Sequence, residues 1–175
     1  MVIWIIGLSG AGKTTLASQV VKRVRQLNGK VVLLDGDVVR TIFRNDVDHT
    51  IEGRRRNAER LSVLSKFLAD QGIHVVGAVL SIFPEWRRWN RENIPEYSEV
   101  YLKASMHTLL RRDNKNLYAR AAKGEIVNVV GVDIPFSEPE NSDLVIENDL
   151  DYLDFDELTD RIMSIDSVRE ALRNA

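Results

Sequence analysis

The 175-residue chain has no cysteine. That excludes a disulfide scaffold, a thiol nucleophile and a zinc–thiolate site, and it fits a reducing compartment. Neither sign of charge is in strong excess: 24 Lys and Arg stand against 26 Asp and Glu, a formal net charge of -2. A generally basic nucleic-acid binder is thereby excluded, although a local basic patch is not. Long apolar runs are also missing. The longest, near Val2–Leu8 and Ile73–Phe83, fall short of the roughly 20 residues that cross a bilayer. The first residues carry neither a basic stretch nor a small-residue cleavage site, so no secretory signal is expected. The chain reads as soluble and cytoplasmic, with neither nucleic acid nor membrane as a partner.

What is present is a globular composition, 44% hydrophobic and 29% charged, at the length of one domain spanning residues 1–175. Apolar runs alternate with helical patterns. Val2–Ile6, Lys30–Leu34, Ile73–Leu80, Glu99–Lys103 and Leu144–Ile146 read as buried strands. Leu16, Val20, Val21, Val24 and Leu27 share one helix face, which should end near Asn28-Gly29. Leu61, Leu64, Phe67 and Leu68 share another, closed by Gly72. A final helix carries Leu158, Ile162, Ile165 and Leu172, with Asp154 as its cap. This alternation predicts an α/β three-layer sandwich, a five-stranded parallel sheet covered by helices on both faces. Arg44–Gly53 and Asp113–Asn141 lack periodicity. The second is long for a loop in a compact domain and rich in Lys, Arg and Gly, so it reads as a lid over about residues 111–135.

The strongest signal is Gly7-Leu8-Ser9-Gly10-Ala11-Gly12-Lys13-Thr14. It matches G-x-x-x-x-G-K-[ST] and lies between a strand and an amphipathic helix, where a phosphate loop must lie. Glycines let successive backbone N–H groups converge on phosphate oxygens, and the helix start adds a favourable dipole. Lys13 would reach the β- and γ-phosphates of ATP, and the Thr14 hydroxyl would ligate Mg²⁺. Gly7–Thr15 is thus the expected ATP-binding segment. A GTPase would need an Asn-Lys-x-Asp base reader; Asp113-Asn-Lys-Asn116 has those letters in the wrong order. A small-molecule kinase is favoured over a non-catalytic nucleotide switch.

Asp35-Gly36-Asp37 follows the second strand, at the end where open parallel sheets present ligands. Period-two geometry would put both carboxylates on one side. One could accept the proton of an attacking hydroxyl, and the other, Asp35, could hold Mg²⁺ through water. The competing structural role is a helix cap by Asp37.

With these residues in view, the chain resembles adenylylsulfate kinases, P-loop enzymes that phosphorylate the ribose 3′-hydroxyl of adenylylsulfate. The likeness runs from Ile3 to about Asn148. It is carried by the phosphate loop, Leu34–Arg40, Lys66–Gly72, Arg112–Tyr118, Gly124–Ile126 and Gly131–Asp133 with Pro135 and Glu140-Asn141. The resemblance implies that Asp35 and Asp37 are an essential acidic pair. It implies that Arg40, Arg54 and Asn57 hold the acceptor's anionic and ribose groups, and that Arg112 and Lys115 close on phosphates. Ser81 matches a serine often described as a phosphoserine intermediate. In-line transfer to a hydroxyl needs no covalent stage, so Ser81, placed in the catalytic set, reads either as a hydrogen-bond partner of the acceptor or as an ordinary strand-end serine.

Two departures concern the acceptor base. The family stacks adenine between two phenylalanines; His49 and Val129 stand at those positions here. Base–aromatic stacking is worth roughly 1–3 kcal/mol per contact, so a smaller or weaker-stacking base is favoured. Related kinases in capsule-building pathways act on cytidine diphosphoramidate. That pyrimidine acceptor is slightly preferred here, with adenylylsulfate as the alternative. The segment Pro84–Glu92 carries Trp86 and Trp89 on one helix face; they read as packing residues, or one indole as a wall of a reshaped acceptor pocket. Arg55 and Arg56 read as solvated. His74 and His107 have no metal-ligand spacing. The partners expected are ATP and a small nucleotide acceptor, with a homodimer left open.

Overall fold

The computed structural model describes residues 1–27, 29–113, 116–149 and 154–173. Five strands form one sheet in the order β2-β3-β1-β4-β5: β1 (Val2–Ile6), β2 (Val31–Asp35), β3 (His74–Val79), β4 (Tyr97–Lys103) and β5 (Leu144–Glu147). Every pairing is parallel. Val2 aligns with both Val75 and Tyr97, so the central strand ends level with its neighbours. The loops leaving the carboxyl ends therefore open on one side of the molecule.

The side chains of β1 divide by parity, as the two-residue strand period requires. Ile3 and Ile5 enter one core layer with Leu16, Val20 and Val24 of α1 (Lys13–Gln26) and Leu158 and Ile162 of α7 (Phe155–Met163). Val2, Trp4 and Ile6 enter the opposite layer with Val39 of α2 (Gly36–Ile42) and Leu61 of α3 (Ile51–Asp70). A strand buried on both faces has no polar alternation, which is why these segments read as unbroken apolar runs. The expected α/β sandwich with helices on both faces is the architecture found.

The expected boundaries shift in several places. Helix α3 begins at Ile51, inside the stretch without periodicity, because the Thr50 hydroxyl caps it by accepting the Gly53 amide. Strand β4 begins two residues early, at Tyr97. The expected final helix is two: α7 and α8 (Asp166–Arg173). Ser164 ends α7, its hydroxyl donating back to the Asp160 carbonyl while the Ile165 amide takes the tighter bond to Ile162. The apolar stripe spans the break because α8 presents Val168 and Ala171 to the same layer. Asp154 caps α7 as expected, accepting the amides of Asp156 and Glu157. Trp86 and Trp89 lie on α4 (Pro84–Asn93), with α5 (Met106–Arg111) and α6 (Leu117–Ala122) after β4. Among the described residues no helix is long and apolar enough to cross a membrane.

Candidate active site

A cleft of about 940 Å³ lies outside the carboxyl ends of the strands. Its floor is the loop after β1. Gly7 packs against β4 so closely that a Cβ would lie 2.5 Å from the Leu102 carbonyl oxygen. Gly12 holds a φ of 94° and precedes α1 with no side chain capping that helix. The first-turn amides of a 14-residue helix are thus available to an anion. Lys13 Nζ donates to the Leu8 carbonyl at 2.8 Å, folding over the loop. Ser9, Gly10, Gly12, Lys13, Thr14 and Thr15 border the cleft. Gly7, Leu8 and Ala11 do not. Gly7 and Ala11 are buried within the loop.

Thr14 joins this floor to the acidic pair. Its hydroxyl donates to Asp35 Oδ2 at 2.7 Å. The other Asp35 oxygen accepts the amides of Asp37, at 2.9 Å, and Val38. Asp35 is therefore the cap of α2, the structural role that the sequence alternatively offered to Asp37. Asp37 lies in the first turn of α2 rather than on a strand, so helix geometry and not the two-residue period brings both carboxylates to the cleft wall.

Two arginines follow. Arg40 is 7% exposed, and its Nη1 donates to the carbonyls of Val47 and Asp48 at 3.1 and 2.7 Å. Burial lowers its pKa, while Asp37 and Asp48 oppose that shift. Arg54 donates from Nε to the His49 carbonyl and from Nη2 to the Asn128 carbonyl, at 2.8 and 2.7 Å. It thereby ties α3 to the segment that carries Val129. His49 stands on the cleft wall. Loss of solvent around its ring, then the charges of Arg40 and Arg54, hold its pKa below the ordinary imidazole value, so it is neutral at pH 7.

Asn57 is buried, and only its amide nitrogen finds a partner, the Gly36 carbonyl at 3.4 Å; its Oδ1 has none. A buried acceptor without a donor is costly unless a ligand supplies one. Ser81 adopts a left-handed φ of 53°, and its Oγ accepts the Trp4 indole N–H at 3.1 Å. Both residues border the cleft, as do Arg112 and Val129. Val129 is only 3% exposed and belongs to the first core layer. Lys115 lies outside the described residues.

Two wall residues, Tyr118 and Phe83, have no role in the sequence reading. The Tyr118 hydroxyl donates to the Ser9 carbonyl at 2.8 Å, holding α6 to the phosphate loop. Burial raises its pKa to about 12. Phe83 lies beneath the Arg55 guanidinium, 4.6 Å from its carbon; Arg55 also pairs with Glu85, so it is not simply solvated. Trp86 borders the cleft, set edge-on against Trp89 at 5.6 Å. Arg55 could be predicted to lie on the helix, but pairing 30 residues away leaves no local signal.

A parallel sheet in this order, with a phosphate loop under an acid-lined cleft, defines a P-loop kinase. Residues 1–147 match the family described as adenylylsulphate kinase. The chain belongs to the adenylylsulfate kinase family. It is 40% identical over 147 residues to a cytidine diphosphoramidate kinase of Campylobacter jejuni, covering 84% of this chain and 85% of that one. It is 41% identical over 149 residues to an adenylyl-sulfate kinase of Paraburkholderia xenovorans, covering 85% and 83%. The fold is similar to that of the Mycobacterium tuberculosis APS kinase solved with AMPPNP and APS. There the TM-score is 0.85 at 31% identity, with 94% of this chain and 95% of that chain covered.

Proposed function

We propose that this chain transfers the γ-phosphate of ATP to the ribose 3′-hydroxyl of a small nucleotide anhydride, and that cytidine diphosphoramidate is preferred over adenylylsulfate. The observation that carries the reading is the continuity of one cleft from the uncapped start of α1, through Thr14 and Asp35, to the unpartnered Asn57 Oδ1 and the two arginines.

In this reading the triphosphate lies along the loop amides, and Lys13 exchanges the Leu8 carbonyl for phosphate oxygens. The Thr14 hydroxyl and the Asp35 carboxylate are hard oxygen donors side by side, the kind of partial set that suits Mg²⁺, which keeps waters and substrate phosphates as its other ligands. Mg²⁺ held by Thr14 and Asp35 would supply positive charge to the triphosphate. Asn57 Oδ1 accepts a ribose hydroxyl proton, and Arg40 and Arg54 face the acceptor's anionic groups. Ser81 Oγ already accepts from Trp4, which leaves its own O–H to donate to the acceptor. The 3′-oxygen attacks the γ-phosphorus, the bond to the β-phosphate oxygen breaks, and the hydroxyl proton passes to Asp37. Arg112 and Lys115 balance charge on the transferred group. No covalent stage on Ser81 is needed.

The base preference follows from the cleft walls. Val129 exposes little surface for stacking, and the neutral His49 ring is a smaller platform than a phenyl group. Trp86 supplies an aromatic wall on the α4 side. Such a site suits a pyrimidine. The alternative acceptor, adenylylsulfate, is favoured by the similarity to the Paraburkholderia enzyme. Initial rates with ATP and each acceptor separate the two: a higher kcat/KM for cytidine diphosphoramidate is expected, and a higher value for adenylylsulfate would reverse the preference. No transfer to either would favour a nucleotide switch.

A further inference from the structure

Asn148 follows β5 and is 1% exposed. It does not border the cleft, yet each of its polar groups has a partner near it. Its backbone amide donates to the Lys103 carbonyl, extending the pairing of β5 with β4. Its Nδ2 donates to the Ala11 carbonyl of the phosphate loop at 2.7 Å. Its backbone oxygen and Oδ1 both accept from Arg112 Nη1, at 3.0 and 3.1 Å. The amide orientation follows from the partners, since a carbonyl can only accept and a guanidinium can only donate.

Arg112 ends α5 and borders the cleft. A planar carboxamide thus spans two elements that must keep fixed spacing for phosphoryl transfer: the loop beneath the triphosphate and a cation at its side. A carboxylate there would lack the donor for Ala11, and an apolar side chain would lack both groups. A Cβ on Gly12 would lie 3.1 Å from Asn148 Nδ2, which shows how closely the amide is seated against the loop. No motif singles out this asparagine, because its partners lie 36 and 137 residues away in sequence.

We infer that Asn148 is a positioning residue for phosphoryl transfer, acting through Arg112 and the Ala11 carbonyl without touching ATP. The inference rests on the reading that Arg112 balances phosphate charge. The test is a double-mutant cycle on the full chain: Asn148→Ala, Arg112→Ala and the pair, with kcat and KM for ATP measured at a temperature where circular dichroism shows all of them folded. If Asn148→Ala does not fold, Asn148→Ser takes its place in the cycle. Asn148→Ala is expected to lower kcat by roughly tenfold, and the pair to be no slower than Arg112→Ala alone, since residues in one network couple. Losses that multiply in the pair would mean that Asn148 acts only on general stability and would overturn the inference. Full turnover by Arg112→Ala would instead overturn the role of Arg112 on which it rests.

Discussion

Asp35 and Asp37 stand two residues apart and both face the cleft, but they should fail differently when replaced. Asp35 accepts the Thr14 hydroxyl and two amides at the start of α2. Asp35→Ala removes a helix cap, which costs about 0.5–2 kcal/mol. For a domain of this size each kcal/mol moves the melting temperature by about 2–4 °C. It also releases Thr14, so turnover should fall. Asp37 is exposed in the first turn of α2, inside the cap that Asp35 supplies. Asp37→Asn keeps its shape while weakening a helix-dipole contribution of about 0.3–1 kcal/mol and the attraction to Arg40. If Asp37 takes the proton, its loss should lower kcat by roughly 10²–10⁴-fold. The assay pairs thermal denaturation with initial rates at saturating ATP. The expected pattern is a clear melting shift for Asp35→Ala and a near-normal melting temperature with collapsed turnover for Asp37→Asn. Normal turnover by Asp37→Asn, or an unshifted Asp35→Ala, would refute the division of roles.

Three other outcomes follow from single contacts. His49→Phe should shift the kcat/KM ratio toward adenylylsulfate by roughly five- to tenfold, because a phenyl face restores part of a stacking contact; an unchanged ratio would remove His49 from the acceptor site. Tyr118→Phe leaves the Ser9 carbonyl without its donor, so stability should fall by about 1 kcal/mol and KM for ATP should rise, read by denaturant unfolding and steady-state kinetics. Glu99 is buried and its pKa is raised, mainly by desolvation. Its unfolded form loses its proton first, so stability drops as pH rises from about 4.5 through the folded value; Glu99→Gln should flatten that part of the pH–stability curve.

Much of this architecture is legible locally. The phosphate loop is a contiguous motif, and β1 and β3 are apolar on both faces because both faces are covered. The split of the last helix was hidden because Val168 and Ala171 continue the apolar stripe beyond Ser164. Either aspartate satisfies the local capping pattern; the cap falls to Asp35, whose Oδ1 accepts the amides of Asp37 and Val38, while its Oδ2 accepts the Thr14 hydroxyl from 21 residues away. Arg40 and Arg54 were placed by likeness, but their grip on the carbonyls of Val47, Asp48 and Asn128 depends on how the chain returns. The phosphate loop's outer supports, Tyr118 and Asn148, come from beyond β4 and carry no periodic signal.

The most direct measurement is phosphorus NMR of the reaction of ATP with cytidine diphosphoramidate and the protein. The account predicts one new phosphomonoester on the 3′-oxygen of the ribose, formed in equal amount with ADP. ADP appearing without a phosphorylated nucleotide, or phosphate retained on Ser81, would contradict it.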